Sequence, residues 1–148
     1  MYLKVYNAIF YTKLIITSQI FSYDGFDREV FATKNVKLEV RDFAADFEIP
    51  WGMAFLPDTS MLVTDLSGSL YRVYQDGNKD VIKGMPNVYY KGQGGLLDVE
   101  VHPDFLNNNY IYVSYSQPIK GKAFTAVARA KLIRNQLEDF EIIYSTEY

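Results

Sequence analysis

Two Pro-Asp pairs, Pro57-Asp58 and Pro103-Asp104, stand 46 residues apart, each set between an apolar run and a second strand-like run. Before the first pair, Trp51 to Leu56 (WGMAFL) is apolar nearly throughout; after it come Met61 to Thr64 (MLVT) and the break Ser67-Gly68. Leu70 to Tyr74 (LYRVY) alternates, Gln75-Asp76-Gly77-Asn78 reads as a hairpin turn, and Val81-Ile82 is a short last strand closed by Gly84 and Pro86. The same order then returns. Leu96 to Val101 (LLDVEV) leads into His102-Pro103-Asp104, Tyr110 to Tyr115 (YIYVSY) follows, and a loop holds Pro118 and Gly121. Thr125 to Leu132 (TAVARAKL) and Phe140 to Tyr144 (FEIIY) complete the set. Two units of four short strands at that period match one blade each of a β-propeller, blade one over about 36–90 and blade two over about 91–148. An ordinary β-sandwich is the plainer alternative. The near-continuous apolar character of Trp51–Leu56 and Leu96–Val101 predicts innermost blade strands covered on both faces.

The propeller reading has a physical consequence. Propellers typically close their ring with about four to eight blades, and about two are legible here. A bare blade flank would leave apolar surface and unpaired edges in water, so this reading expects self-association or additional blades.

Composition removes whole classes of chemistry. The chain has 148 residues, no Cys and one His, His102. Disulfides, thiolate metal sites and cysteine nucleophiles are therefore excluded, and any Ser-His-Asp triad would depend on His102 alone. A formal charge of −3 gives no electrostatic reason to expect nucleic acid. Thirteen Tyr and ten Phe favour β structure.

Residues 1–35 read as an N-terminal extension. A membrane-spanning helix needs about twenty apolar residues, whereas the longest uncharged stretch here, Leu14 to Tyr23, has ten. Early lysines, a short apolar core and Ser22 before a cut fit an export signal better, directing the chain to the periplasm or outside the cell. Thr17, Ser18 and Gln19 dilute that core, and a frayed or mis-started extension is the alternative. On the export reading, Met1 to about Ser22 packs against nothing.

Few residues could carry chemistry. Gly92-Gln93-Gly94-Gly95 lets the backbone turn sharply and approach a neighbour closely. It lacks the spacing of a dinucleotide fingerprint and the Gly-Lys-Ser/Thr of a phosphate loop. It reads either as a tight turn entering a strand or as a turn presenting Gln93 to a ligand. Asp76-Gly77-Asn78-Lys79-Asp80 alternates oxygen side chains as a calcium loop would, but Val81 and Asn87 stand where such a loop needs Gly and Glu, so a solvated hairpin is expected. His102 has no visible partner and reads as structural. Arg129 and Lys131 share a strand face and are expected to point to solvent. No Gly-x-Ser-x-Gly elbow occurs, and no catalytic constellation is complete.

Taken together, Ile49-Pro50-Trp51-Gly52-Met53-Ala54-Phe55-Leu56-Pro57-Asp58, Gly92-Gln93-Gly94-Gly95-Leu96-Leu97-Asp98-Val99 and His102-Pro103-Asp104-Phe105 carry a resemblance. Met61-Leu62-Val63-Thr64, Tyr110 to Ser116 and Ala126-Val127-Ala128-Arg129 extend it. In order and spacing they resemble the N-terminal part of the soluble aldose sugar dehydrogenases that use pyrroloquinoline quinone, the glucose/sorbosone dehydrogenase family. The resemblance covers about Val36 to Tyr144 and implies an all-β, six-bladed propeller exported to the periplasm, with the quinone and calcium at the channel mouth. It implies oxidation of an aldose at its C1 hydroxyl, a histidine taking the proton while hydride passes to the quinone, and a separate electron acceptor. In the family that histidine comes in a later blade and the cofactor's ligands later still, so no catalytic, cofactor or metal residue is carried onto this chain. Only Gln93 maps onto a family site position, a glutamine that hydrogen-bonds the sugar. One departure is visible: where the family usually has Thr-Glu-Arg before a glycine, this chain reads Thr64-Asp65-Leu66-Ser67-Gly68. The resemblance thus implies the first two blades of an enzyme, inactive alone, and the alternative is a non-catalytic propeller module used for binding. A lactonase-like metal propeller is a weaker third reading, since no metal-ligand set is visible.

Overall fold

The computed structural model describes residues 3–6, 29–32 and 34–146. Two compact units divide the chain, Met1–Phe47 and Glu48–Tyr148. In the first, β1 (Leu3–Tyr6), β2 (Glu29–Ala32) and β3 (Lys37–Ala44) form an antiparallel sheet in the order β1-β3-β2. Residues 7–28, the greater part of the expected export signal, lie outside the described residues. Leu3–Tyr6 do not stand apart as the export reading expects: they pair with β3, Leu3 opposite Ala44 and Tyr6 opposite Val40. The reason is that β3 has two edges, and β2 takes only one of them.

The second unit holds the repeat. Its first sheet runs β4 (Pro50–Phe55), β5 (Met61–Asp65), β6 (Leu70–Val73) and β7 (Lys79–Ile82), in chain order and antiparallel. Its second runs β8 (Leu96–Val101), β9 (Tyr110–Ile119), β10 (Lys122–Ile133) and β11 (Gln136–Ser145), again in chain order. These are two neighbouring propeller blades. The single-turn helix α1 (Phe105–Asn108), which strand patterning did not anticipate, interrupts the second after the His-Pro-Asp turn.

Period-2 patterning explains how the blades stack. On β10, Ala126, Ala128, Ala130 and Leu132 are buried while the residues between them are half-buried. These small side chains share one core with Leu62, Leu70 and Ile82 of the first blade and with Ile111, Val113 and Tyr115 of β9. A row of alanines lets the sheets approach, and the larger residues opposite fill the gap at interior density.

Two strand assignments needed tertiary context. The loop expected around Pro118 and Gly121 is instead the tip of a long hairpin, with Ile119 opposite Lys122 across Lys120 and Gly121. Both turn residues have positive φ, 49° and 77°, which suits a two-residue hairpin turn. Pro118 is tolerated because β8 pairs with β9 only as far as Tyr115, so its missing N–H falls on an unpaired edge. The expected double-sided covering of β4 also fails: Trp51 and Phe55 remain 46% and 55% exposed. Sheet packing covers only one face of that edge strand.

Candidate functional site

The two first strands, β4 and β8, lie side by side at corresponding ends of their sheets, joined by Thr64. The Thr64 hydroxyl, itself on β5, accepts the Gly52 N–H at 2.8 Å and donates to the Leu97 carbonyl at 2.8 Å. Glycine suits this crossing because a Cβ on Gly52 would lie 3.1 Å from both the Asp98 Cα and the Leu97 carbonyl oxygen. One residue on, Asp65 is buried and accepts the amides of Glu48 (2.7 Å), Ile49 (3.2 Å) and Ser67 (3.2 Å) and the Ser67 hydroxyl (2.8 Å). A short acidic side chain thereby fixes the chain entering β4 against the turn leaving β5.

Leu66, at the position where the family usually carries arginine, is buried. Its N–H donates to the Ile49 carbonyl at 2.9 Å, and its carbonyl accepts the Leu96 N–H at 3.2 Å. An apolar side chain suits that enclosed place.

Gln93 sits at the entrance to β8. Lys91 and Gly94 exchange backbone hydrogen bonds (3.3 and 3.0 Å), closing a two-residue turn with Gly92 and Gln93 at its tip. Each glycine has a different task. Gly92 has φ +62° and open space around it; Gly94 lies against the Tyr89 carbonyl and the Ser116 hydroxyl; Gly95 lies so close to the Leu66 carbonyl that no Cβ fits. The Gly-rich segment is therefore a tight turn clamped between the blades, and Gln93 is exposed on it. Both readings of this motif are compatible with that geometry. Beside it, the half-exposed Tyr90 donates its hydroxyl to Glu48 at 2.8 Å, and that hydrogen bond, ahead of a little desolvation, holds the phenol above its usual range.

The other candidates are occupied locally. Asp76 accepts the Asn78 amide (3.0 Å) and side-chain nitrogen (2.7 Å), and Asp80 accepts Tyr74 Oη (2.8 Å) and Asn135 Nδ2 (2.9 Å). Those oxygens serve the hairpin and its neighbour. Arg129 and Lys131 do not simply extend into water as expected. They lie over the Tyr110 ring at 4.6 and 5.8 Å and pair with Glu141 and Asp139 at 2.8 Å each, because cross-strand neighbours offer both a π-face and a carboxylate. His102 accepts the Asp104 amide on Nδ1 at 2.9 Å and belongs to its own turn.

Among the described residues, no group of three His, Cys, Asp or Glu side chains is set to hold a metal ion. Next to Gln93 in the chain, the exposed groups are the Lys91 ammonium and the Tyr90 phenol bonded to Glu48, and a single cation does not match the three carboxylates of the quinone. These residues do not by themselves fit that cofactor or its calcium. No helix among them is long and apolar enough to cross a membrane.

Residues 47–148 match the model of the glucose/sorbosone dehydrogenase family. The chain is 37% identical over 118 residues to the aldose sugar dehydrogenase YliI of Escherichia coli, covering 76% of this chain and 31% of that one. A solved glucose dehydrogenase structure superimposes with a TM-score of 0.64 at 40% identity, over 67% of this chain and 32% of that one. The apo form of the soluble aldose sugar dehydrogenase of E. coli gives 0.66 at 32% identity, over 82% of this chain and 33% of that one. A quinone-bound aldose sugar dehydrogenase from Streptomyces coelicolor, at 22% identity, shares the fold with a TM-score of 0.64, over 82% and 34%. The chain thus spans about a third of the length of these relatives.

Proposed function

Because the chain belongs to the glucose/sorbosone dehydrogenase family, we propose that it supplies the sugar-facing amide of a quinone-dependent aldose dehydrogenase. On this reading Gln93 binds the aldose, which is oxidised at its C1 hydroxyl. Pyrroloquinoline quinone and calcium serve as cofactors, held by residues other than those of this chain, and the electrons pass to a separate acceptor. The general base is placed in family segments outside these residues, and the periplasm or exterior is the working compartment. The observation that supports Gln93 is its exposure at the tip of a turn whose base, Gly94 and Gly95, packs against Tyr89, Ser116 and Leu66 while Gly92 supplies the positive φ. A carboxamide suits a sugar hydroxyl because it both donates and accepts.

A hydroxyl-to-amide bond contributes about 1 kcal/mol net, and more is lost when a buried partner is left unsatisfied. In an enzyme of full family length carrying this segment, Gln93→Ala should lower kcat/KM for the sugar about tenfold or more, with little change in thermal stability. Unchanged kinetics would return Gly92–Gly95 to the rank of an ordinary turn. The 148-residue chain, mixed with pyrroloquinoline quinone, calcium, aldose and a dye acceptor, should give no turnover. Dye reduction would overturn the placement of the base elsewhere. The alternative is a non-catalytic propeller module, favoured by the placement of the sole histidine, His102, whose Nδ1 is taken by the Asp104 amide of its own turn. A full-length protein inactive towards every aldose, yet folded, would favour it.

A further inference from the structure

His102 follows β8, and the chain turns there through Pro103 into α1. Its Nδ1 receives two donors, the Asp104 backbone N–H at 2.9 Å and the Asn108 side-chain Nδ2 at 2.9 Å. A backbone N–H can only donate, so Nδ1 is the bare nitrogen and the neutral ring carries its proton on Nε2. The orientation of the Asn108 amide agrees independently. Its Oδ1 accepts the Tyr110 N–H at 2.9 Å, which turns its NH2 group toward the ring. The same turn is tied to the sheet on both sides: His102 N–H to the Tyr110 carbonyl at 3.0 Å, and Leu132 N–H to the Asn109 carbonyl at 2.8 Å.

We propose that His102 is an acid-released clip: neutral, it closes the 102–109 turn onto β9 and β10, and protonated at Nδ1 it faces two N–H donors with a third, so the turn opens. The surrounding charges are mixed. Glu100 and Asp104 line the same open cavity of about 460 Å³ as the ring. From β9 the ring meets Tyr112 at 6.0 Å and Tyr110 at 6.3 Å. Over Tyr110 lie Arg129 and Lys131, each paired with a carboxylate, Glu141 and Asp139. The cavity's far wall, Phe55 to Pro57, brings no charge. What protonation forfeits is therefore the pair of bonds on Nδ1. The clip lies at the opposite end of β8 from Gln93, so its release loosens the Phe105 and Leu106 side of the cavity and leaves the Gln93 turn in place. This inference is independent of the sugar reading.

As the sole histidine, His102 can be observed without ambiguity by imidazole ¹⁵N NMR on the labelled full chain. At about pH 8 the expected spectrum is a bare Nδ1 and a protonated Nε2. Acidification to about pH 5 spans the range in which histidines ordinarily titrate. Over it the protection factors of the Asp104 and Asn109 amides should fall about tenfold or more, the size of one lost hydrogen bond. Those of Val99 and Val113 should hold. His102→Asn keeps an acceptor near the Nδ1 position and cannot titrate, so its turn should stay protected at both pH values. A proton on Nδ1 at pH 8, undiminished protection once imidazolium has formed, or an equal loss in His102→Asn would each overturn the clip. If that variant fails to fold, the first two measurements on the unaltered chain still decide.

Discussion

Thr64 joins three strands through one oxygen, binding Gly52 of β4 and Leu97 of β8 while itself paired within the first sheet. Thr64→Val keeps the shape and removes the hydroxyl, leaving a part-buried amide and a carbonyl without that partner. The expected loss is about 1–3 kcal/mol, read as a lower denaturant midpoint at unchanged slope. The two glycine mechanisms at the Gln93 turn separate in the same way. Gly92→Ala meets open space and bears only the cost of a positive φ, about 1–2 kcal/mol. Gly95→Ala drives a Cβ into the Leu66 carbonyl and should prevent the blades from closing, seen as loss of the cooperative transition. Equal effects of the two substitutions would refute this division. Which glycine does which task was not legible in the motif, because the Leu66 carbonyl reaches Gly95 only through the fold.

At the scale of elements, the repeated Pro-Asp turn shows how a sequence signature earns its place. Asp58 accepts the Ser60 N–H at 3.1 Å and hydroxyl at 2.6 Å and pairs with Arg72. Burial alone would raise its pKa, but the Ser60 bonds and the Arg72 charge outweigh it and hold the carboxyl below the ordinary 3.8. A group with a depressed folded pKa stabilises above its unfolded value, and that contribution fades as pH falls through the folded one. The stability that Asp58 contributes should therefore fade on acidification, and Asp58→Asn should flatten the acid limb of a stability–pH curve below about pH 4 while lowering stability at neutral pH. The effect is small, since the side chain is half exposed. Strand existence over 50–145 was readable from short apolar or alternating runs set between turn signals. Strand ends were not: β9 and β10 run on to Ile119 and from Lys122 because pairing with each other overrides Pro118 and Gly121 as breakers.

At the scale of the whole molecule, apolar surface is unevenly distributed. The Arg129–Glu141 and Lys131–Asp139 pairs make one sheet face polar, contrary to a uniformly bare apolar flank, whereas Trp51, Phe55, Ile142, Ile143 and Tyr144 stay exposed. We expect the chain to associate as its concentration rises, with a sedimentation coefficient that climbs on loading. A concentration-independent monomer with a sharp melt would count against this. Alternation and turn chemistry, both local properties, were enough by themselves to determine two four-stranded blades, and the long motifs were enough to determine the family. Local patterning cannot report which distant backbone atoms meet. Only the tertiary structure decided that Gly95 abuts Leu66, that Thr64 bridges β4 and β8, that Arg129 and Lys131 settle over Tyr110, and that His102 is closed by Asp104 and Asn108. Each of these depends on sheet stacking or on the path of a turn, quantities set by the packing of the assembled core rather than by any residue's neighbours in sequence.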